Sequence, residues 1–192
     1  MEISKENFVL QKVSIQSLIC QNSWVKNESR TSFLKSCLKS NNPQGLLHFG
    51  MMQYFAGMKL EKGLFKIENA AKYEIKEASY ILGLVLLCSG EENNVNRGMT
   101  LLTSIMKELK GKGIVKCRKK LRDFLHSIWF KNNLISNNKP HIACPEQHQG
   151  KILSNWDVGY YYDEDYEDNI VCDFCKCARE IELFYQMLPS VV

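Results

Sequence analysis

Gly45-Leu46-Leu47-His48-Phe49-Gly50-Met51-Met52-Gln53-Tyr54-Phe55-Ala56-Gly57 is answered, 33 residues on, by Ala78-Ser79-Tyr80-Ile81-Leu82-Gly83-Leu84-Val85-Leu86-Leu87-Cys88-Ser89-Gly90. Gly45 aligns with Ala78, Gly50 with Gly83 and Gly57 with Gly90. Downstream, Gly63-Leu64-Phe65 answers Gly98-Met99-Thr100 at a spacing of 35. A period of that size marks stacked helix-turn-helix repeats. Such repeats build surfaces that bind other proteins. A glycine inside a helix costs ~1 kcal/mol relative to alanine. Gly50 and Gly83 are therefore expected where a second helix must approach closely, at the crossing of helix A and helix B in each repeat.

The flanking segments extend this pattern. Helix A of the first repeat carries Leu46, Leu47, Phe49, Met51 and Tyr54, and Gly57 ends it. Helix B carries Leu64, Ile67, Ala70 and Ala71. In the second repeat, helix A runs from about Glu77 to Cys88 and Gly90 ends it. Its helix B carries Met99, Leu101, Leu102, Ile105, Met106 and Leu109. Gly111 and Gly113 then predict a break, followed by a capping helix with Ile114, Cys117, Leu121, Phe124, Leu125 and Ile128 at helical spacing. Upstream, Phe33, Leu34, Cys37 and Leu38 form another apolar stripe, capped by Thr31 or Ser32. It stops at Ser40-Asn41-Asn42-Pro43, because proline disfavours the helical conformation of the residue before it. Phe8-Val9-Leu10 and Val13-Ser14-Ile15 read as a helix end and an extended connector. The fold expected is all-α, a tetratricopeptide-like helical-repeat superhelix with a small Cys-containing C-terminal tail. Residues 1–29 form a leader, 30–133 the repeat domain, and 134–192 a linker, a candidate zinc-binding tail and a terminal helix.

Composition narrows the function. The chain has 192 residues, 45% of them apolar, and a formal net charge of +4. That charge is too small to imply nucleic acid by itself. No run reaches the length of a membrane span. Met1-Glu2-Ile3-Ser4-Lys5 opens no secretory signal pattern, so the cytoplasm or nucleus is the expected location. Eight cysteines in a reducing compartment point to metal or to buried thiols rather than to disulfides. The chain carries neither a Gly-x-x-x-x-Gly-Lys phosphate loop nor a Gly-x-Ser-x-Gly nucleophile elbow. His48 and His126 fall within helices and read as packing residues. No enzymatic activity is expected.

The sharpest chemical feature is Cys172-x-x-Cys175. Two thiolates at that spacing can share one zinc ion, and structural zinc takes four sulfur or nitrogen ligands in a tetrahedron. Cys144-x-x-x-His148 offers the second pair, with Cys177 as the alternative to His148. Such an ion would fix the start of the last helix, which carries Ile181, Phe184 and Leu188. The competing reading is free cysteines in the tail. Cys37, Cys88 and Cys117 lie on apolar stripes and read as small buried hydrophobes. Between Lys107 and Arg122 there are eight Lys or Arg against Glu108. This run reads as the solvated face of the capping helix, with nucleic-acid binding as the lesser alternative. Asp157, Asp163, Glu164, Asp165, Glu167 and Asp168 make an acidic loop without a basic residue inside it.

Several stretches carry a family resemblance. They are Ser32-Phe33-Leu34-Lys35-Ser36-Cys37 with Asn42-Pro43, Gly50-Met51-Met52-Gln53-Tyr54-Phe55, Ala78-Ser79-Tyr80-Ile81-Leu82-Gly83 and Leu86-Leu87-Cys88-Ser89-Gly90. Val115-Lys116-Cys117-Arg118-Lys119-Lys120 and the tail from Cys172 to Leu188, with Ala178-Arg179-Glu180-Ile181, continue it. In this order they resemble plant F-box-like proteins with a C-terminal tetratricopeptide-like, Sel-type repeat domain. The resemblance implies a protein-interaction module that recruits substrate or partner to a cullin-type ubiquitin ligase. Residues 1–29 contain no Leu-Pro, the opening of an F-box, and read as its remnant. Stable binding of a Skp-type adaptor by this chain is accordingly not expected. A stand-alone scaffold with no ligase role is the alternative.

Overall fold

The computed structural model describes residues 2–15, 18, 28–128, 131–132, 135, 139–140, 142, 144–146 and 172–189. Seven helices and no strand occur among them: α1 (Glu2–Lys12), α2 (Glu28–Lys39), α3 (Pro43–Phe55), α4 (Leu60–Lys72), α5 (Lys76–Leu87), α6 (Glu92–Ser127) and α7 (Asp173–Met187). The protein is all-α, as the periodicity predicts. None of the described helices is long and apolar enough to cross a membrane. The chain divides into two compact units, residues 1–78 and 79–192. The division falls within the first turn of α5, and the terminal helix belongs to the same unit as the rest of the second repeat.

In the first unit, α3 and α4 form the hairpin of the first repeat. A Cβ on Gly50 would lie 2.9 Å from the Ile67 side chain and 3.0 Å from the Gly63 carbonyl oxygen. One on Gly63 would lie 2.7 Å from the Tyr54 backbone nitrogen and 2.9 Å from the Gly50 carbonyl oxygen. Gly50 thus meets Ile67 while Tyr54 meets Gly63, so the two helices run antiparallel with their backbones in direct approach. Leu46, Ala70 and Ala78 form a buried cluster beside this crossing, backed by Leu38, Leu47, Ala71 and Ile75. Phe55 and Ile67 are fully buried.

Asn42 fastens the start of the hairpin. It caps α3, its side-chain oxygen accepting from the Gly45 N–H at 3.0 Å, and Pro43 follows at the first helical position, where its missing N–H is harmless. The Asn42 amide donates to the Leu10 and Val13 carbonyls at 2.8 Å and to that of Gln11 at 3.3 Å. One buried side chain therefore satisfies the end of α1 and the start of α3 together. Ile15, fully buried, donates its N–H to the Gln44 side chain at 2.9 Å.

The second unit repeats the hairpin with α5 and the first part of α6. A Cβ on Gly83 would sit 3.1 Å from Leu102 Cβ, and one on Gly98 would sit 2.9 Å from the Gly83 carbonyl oxygen and 3.0 Å from the Leu87 backbone nitrogen. Both glycines predicted for helix crossings are therefore at them, and each faces a second glycine, Gly63 or Gly98. Gly57 and Gly90 end the A helices with φ of 67° and 75°, the left-handed conformation that glycine adopts without steric cost. Nothing lies within 4 Å of a Cβ added to Gly90, so backbone angle and not space sets that residue.

The sequence places the break after helix B at Gly111 and Gly113; the structure places it at Lys110. Lys110 has φ 48° and ψ −175°, which splits α6 into a repeat helix and a capping helix. Ile114, Cys117, Arg118, Leu121 and Leu125 make the buried stripe of the capping part. His48 is half-buried, edge-on to Phe49 at 5.7 Å between ring centroids. His126 is exposed, because it falls on the capping helix face opposite Leu121 and Leu125.

Two glycines in the first unit are expected to respond to alanine with opposite sign. Gly63→Ala should lower the melting temperature, since the Cβ meets backbone that cannot yield, and overpacking costs ~1–3 kcal/mol. Gly45→Ala should raise it slightly. Its Cβ would find only ordinary contacts at 3.6–3.7 Å, and alanine gains up to ~1 kcal/mol of helix propensity. Thermal denaturation of both variants checks the register; an unchanged midpoint for Gly63→Ala contradicts it.

Candidate metal centre and the docked terminal helix

α7 begins at Cys172, which caps it without a side-chain hydrogen bond. Its buried residues include Cys177, Glu180, Ile181, Phe184 and Met187, spaced as one helical face. Polar groups tie the helix to the second repeat and to the stretch after it at successive points. Asp173 pairs with Lys107 at 2.8 Å, and the Cys177 sulfur lies 3.6 Å from the Thr103 hydroxyl. Near the far end the Tyr185 hydroxyl donates to the Ile135 carbonyl at 2.8 Å, and Lys139 pairs with Glu182 at 2.6 Å.

Between these points lies a buried carboxylate. Glu180 accepts from the Tyr80 hydroxyl at 2.7 Å and from Arg118 Nε at 3.1 Å, both at the same oxygen. Its other oxygen accepts from a terminal nitrogen of Arg118. None of the three residues is more than 2% exposed. Burial holds the Tyr80 phenol well above its ordinary range, and the Glu180 charge adds to the effect, so Tyr80 keeps its proton and donates it. Arg118 belongs to the basic run that the sequence assigns to a solvated face; the structure turns this one residue inward, while Lys112, Lys116 and Lys119 are not buried in this way. Charge type alone does not reveal an inward arginine, because its partner lies 62 residues away.

The predicted zinc ligands separate into three groups. Cys144, Cys172 and Cys175 come together, their sulfurs all within 4.8 Å of one another, with Cys144 and Cys172 at 3.6 Å. Cys144 and Cys175 are buried and Cys172 is partly exposed. Cys177 points to Thr103 instead, because two residues along a helix turn a side chain to the far side. His148 lies outside the described residues, as do Cys20 and the acidic loop. Three sulfurs at these separations could hold a metal ion. Burial pushes the Cys175 thiol up to about 12, with the neighbouring Cys144 and Cys172 adding. Metal binding there would therefore release a proton. Burial also raises Cys88 and Cys177 to about 12, and Cys37 and Cys117 are buried. These four are unreactive packing residues.

The chain matches the family described as plant tetratrico peptide repeats over residues 16–126, more than half its length. It is 28% identical over 136 residues to a predicted F-box protein of Arabidopsis thaliana. That match covers 69% of this chain and 45% of the relative, so the chain spans about half the length of the relative. No solved structure matches the chain.

The buried triad gives a test by double substitution. Arg118→Met alone should cost about 3–5 kcal/mol, because it leaves the Glu180 charge buried without its cation. Arg118→Met combined with Glu180→Leu should recover most of that loss, since an apolar replacement of both partners is often neutral. Denaturant unfolding of these two variants and of Glu180→Leu alone reads the difference; a double-variant loss equal to the sum of the two single losses would mean that the pair is not coupled.

Proposed function

The chain belongs to the plant tetratrico peptide repeat family, and we propose that its repeats recruit a protein partner for a cullin-type ubiquitin ligase, as a non-enzymatic subunit. The family match over residues 16–126 carries the protein-interaction role. The F-box name of the Arabidopsis relative is what supports the ligase. The site of action is the cytoplasm or nucleus, where free thiols persist. Affinity purification of the tagged full chain from plant tissue tests this reading. Co-recovery of a further, stoichiometric protein is expected, with a cullin that reaches the complex through another subunit rather than through an adaptor bound stably by this chain. Recovery of that protein without any ligase component would favour the stand-alone scaffold.

We also propose that the metal held by Cys144, Cys172 and Cys175 is zinc in a structural role. With Zn–S bonds of about 2.3 Å, tetrahedral geometry puts sulfurs about 3.8 Å apart. The 3.6 Å between Cys144 and Cys172 is close to that. His148, four residues after Cys144, is the sequence candidate for the fourth position. Elemental analysis under reducing conditions should find about one zinc per chain, and Cys175→Ser should reduce it several-fold. A zinc-free wild-type chain would exclude the site.

A further inference from the structure

We propose that the metal at Cys144, Cys172 and Cys175 is a latch on α7, its occupancy setting how firmly the terminal helix is held in the second repeat. The proposal rests on the metal reading above and adds a regulatory role to it.

The placement of the ligands is the first support. Cys172 and Cys175 occupy the cap and first turn of α7. Cys144 comes from a separate stretch 28 residues earlier. An ion shared by the three ties the start of α7 to that stretch. The entropic cost of such a closure grows only logarithmically with loop length, and metal–thiolate bonds readily exceed it.

Without the ion, little else fastens this end. The cap residue makes no side-chain hydrogen bond to the helix. The first-turn ion pair joins Lys107 and Asp173, whose side chains are 64% and 39% exposed, and exposed pairs contribute little. Further along, the Glu180 interactions are well formed, yet burying both charges consumes much of what their attraction returns. What remains is the buried Cys177 against Thr103 and the apolar contact of Ile181, Phe184 and Met187, the larger part of it in the second half of the helix. The metal site therefore sits at the end of α7 where the protein's own grip is weakest.

The consequence is functional because of what α7 covers. Tyr80, Thr103 and Arg118 lie on the three successive helical parts of the second unit, and all three face α7. α7 is an intramolecular helix seated on a repeat surface, the position that a helical ligand would take. Releasing it uncovers a tyrosine and an arginine placed to receive a carboxylate from a competing amphipathic helix.

Hydrogen exchange by mass spectrometry on the full chain, in reducing buffer, tests the latch with zinc as the probe. Zinc content is measured on the same samples. The zinc-loaded chain should protect 177–187, and removal of zinc by a chelator should speed exchange there roughly tenfold. Re-added zinc should restore protection, and α3 and α4 should be unaffected throughout. Cys144→Ser should behave as the stripped chain even with zinc present. If zinc is bound but its removal leaves exchange in α7 unchanged, the latch is overturned while the metal reading stands. If exchange rises equally in α3 and α4, the ion supports the whole fold and the latch is again overturned. A chain that binds no zinc removes the metal reading and the latch with it.

Discussion

Four absent side chains set the geometry of both repeats. At Gly50 and Gly63, and again at Gly83 and Gly98, a Cβ would fall 2.7–3.1 Å from the facing helix, too close at Gly50, Gly63 and Gly98 and tight at Gly83. The separation of packed helices is set by the side chains at their contact. With glycine on both sides, each hairpin closes backbone to backbone, and the positions one turn away come into register. Ile67 and Leu102 are fully buried because they sit beside these crossings. A helix interior without side chains is intrinsically poor. The surrounding apolar burial offsets that weakness, so the hairpins hold only as tertiary units.

The buried Glu180 carboxylate solves a different problem, that of register. Ile181, Phe184 and Met187 would bury similar apolar area if α7 slid by one turn, since the hydrophobic effect is not directional. A slide would separate Glu180 from Tyr80 and Arg118 and leave a charge on each side without its partner. The penalty for an unpaired buried charge greatly exceeds the net value of the pair. The triad thereby fixes where along the second repeat the helix rests, which also fixes where Cys172 and Cys175 meet Cys144. In this way a charged interaction in the core positions a thiol cluster several residues away.

The local pattern was legible wherever the cause was local. The helices, the stop before Pro43, and the helix ends at Gly57 and Gly90 all follow from properties of single residues or of neighbours within one turn. Even the close approach at Gly50 and Gly83 could be read. A glycine at the same position of two apolar helices weakens both, unless a neighbouring backbone needs the room. Lys110 shows the limit. Gly111 and Gly113 are the residues that tolerate unusual backbone angles, yet the chain breaks at the lysine before them. The packing of the two helical parts on either side places the break, and propensity is overridden.

The long-range partnerships were decided by tertiary structure alone. Asn42 reads only as part of the stop before Pro43, and nothing in the sequence says that its amide collects carbonyls from Leu10, Gln11 and Val13. Arg118 reads as one member of a basic run until Glu180, 62 residues away, is brought against it. Among the cysteines, Cys172 and Cys175 announce themselves by spacing and Cys144 reads as their companion; the turning of Cys177, the alternative to His148, away from them toward Thr103 follows from helix geometry at the start of α7. Sequence by itself determined the repeat and its helices, because periodicity and backbone preference act over a few residues. The folded chain decided the buried triad and the three-thiol cluster, because each depends on groups that meet only after the helices between them have packed.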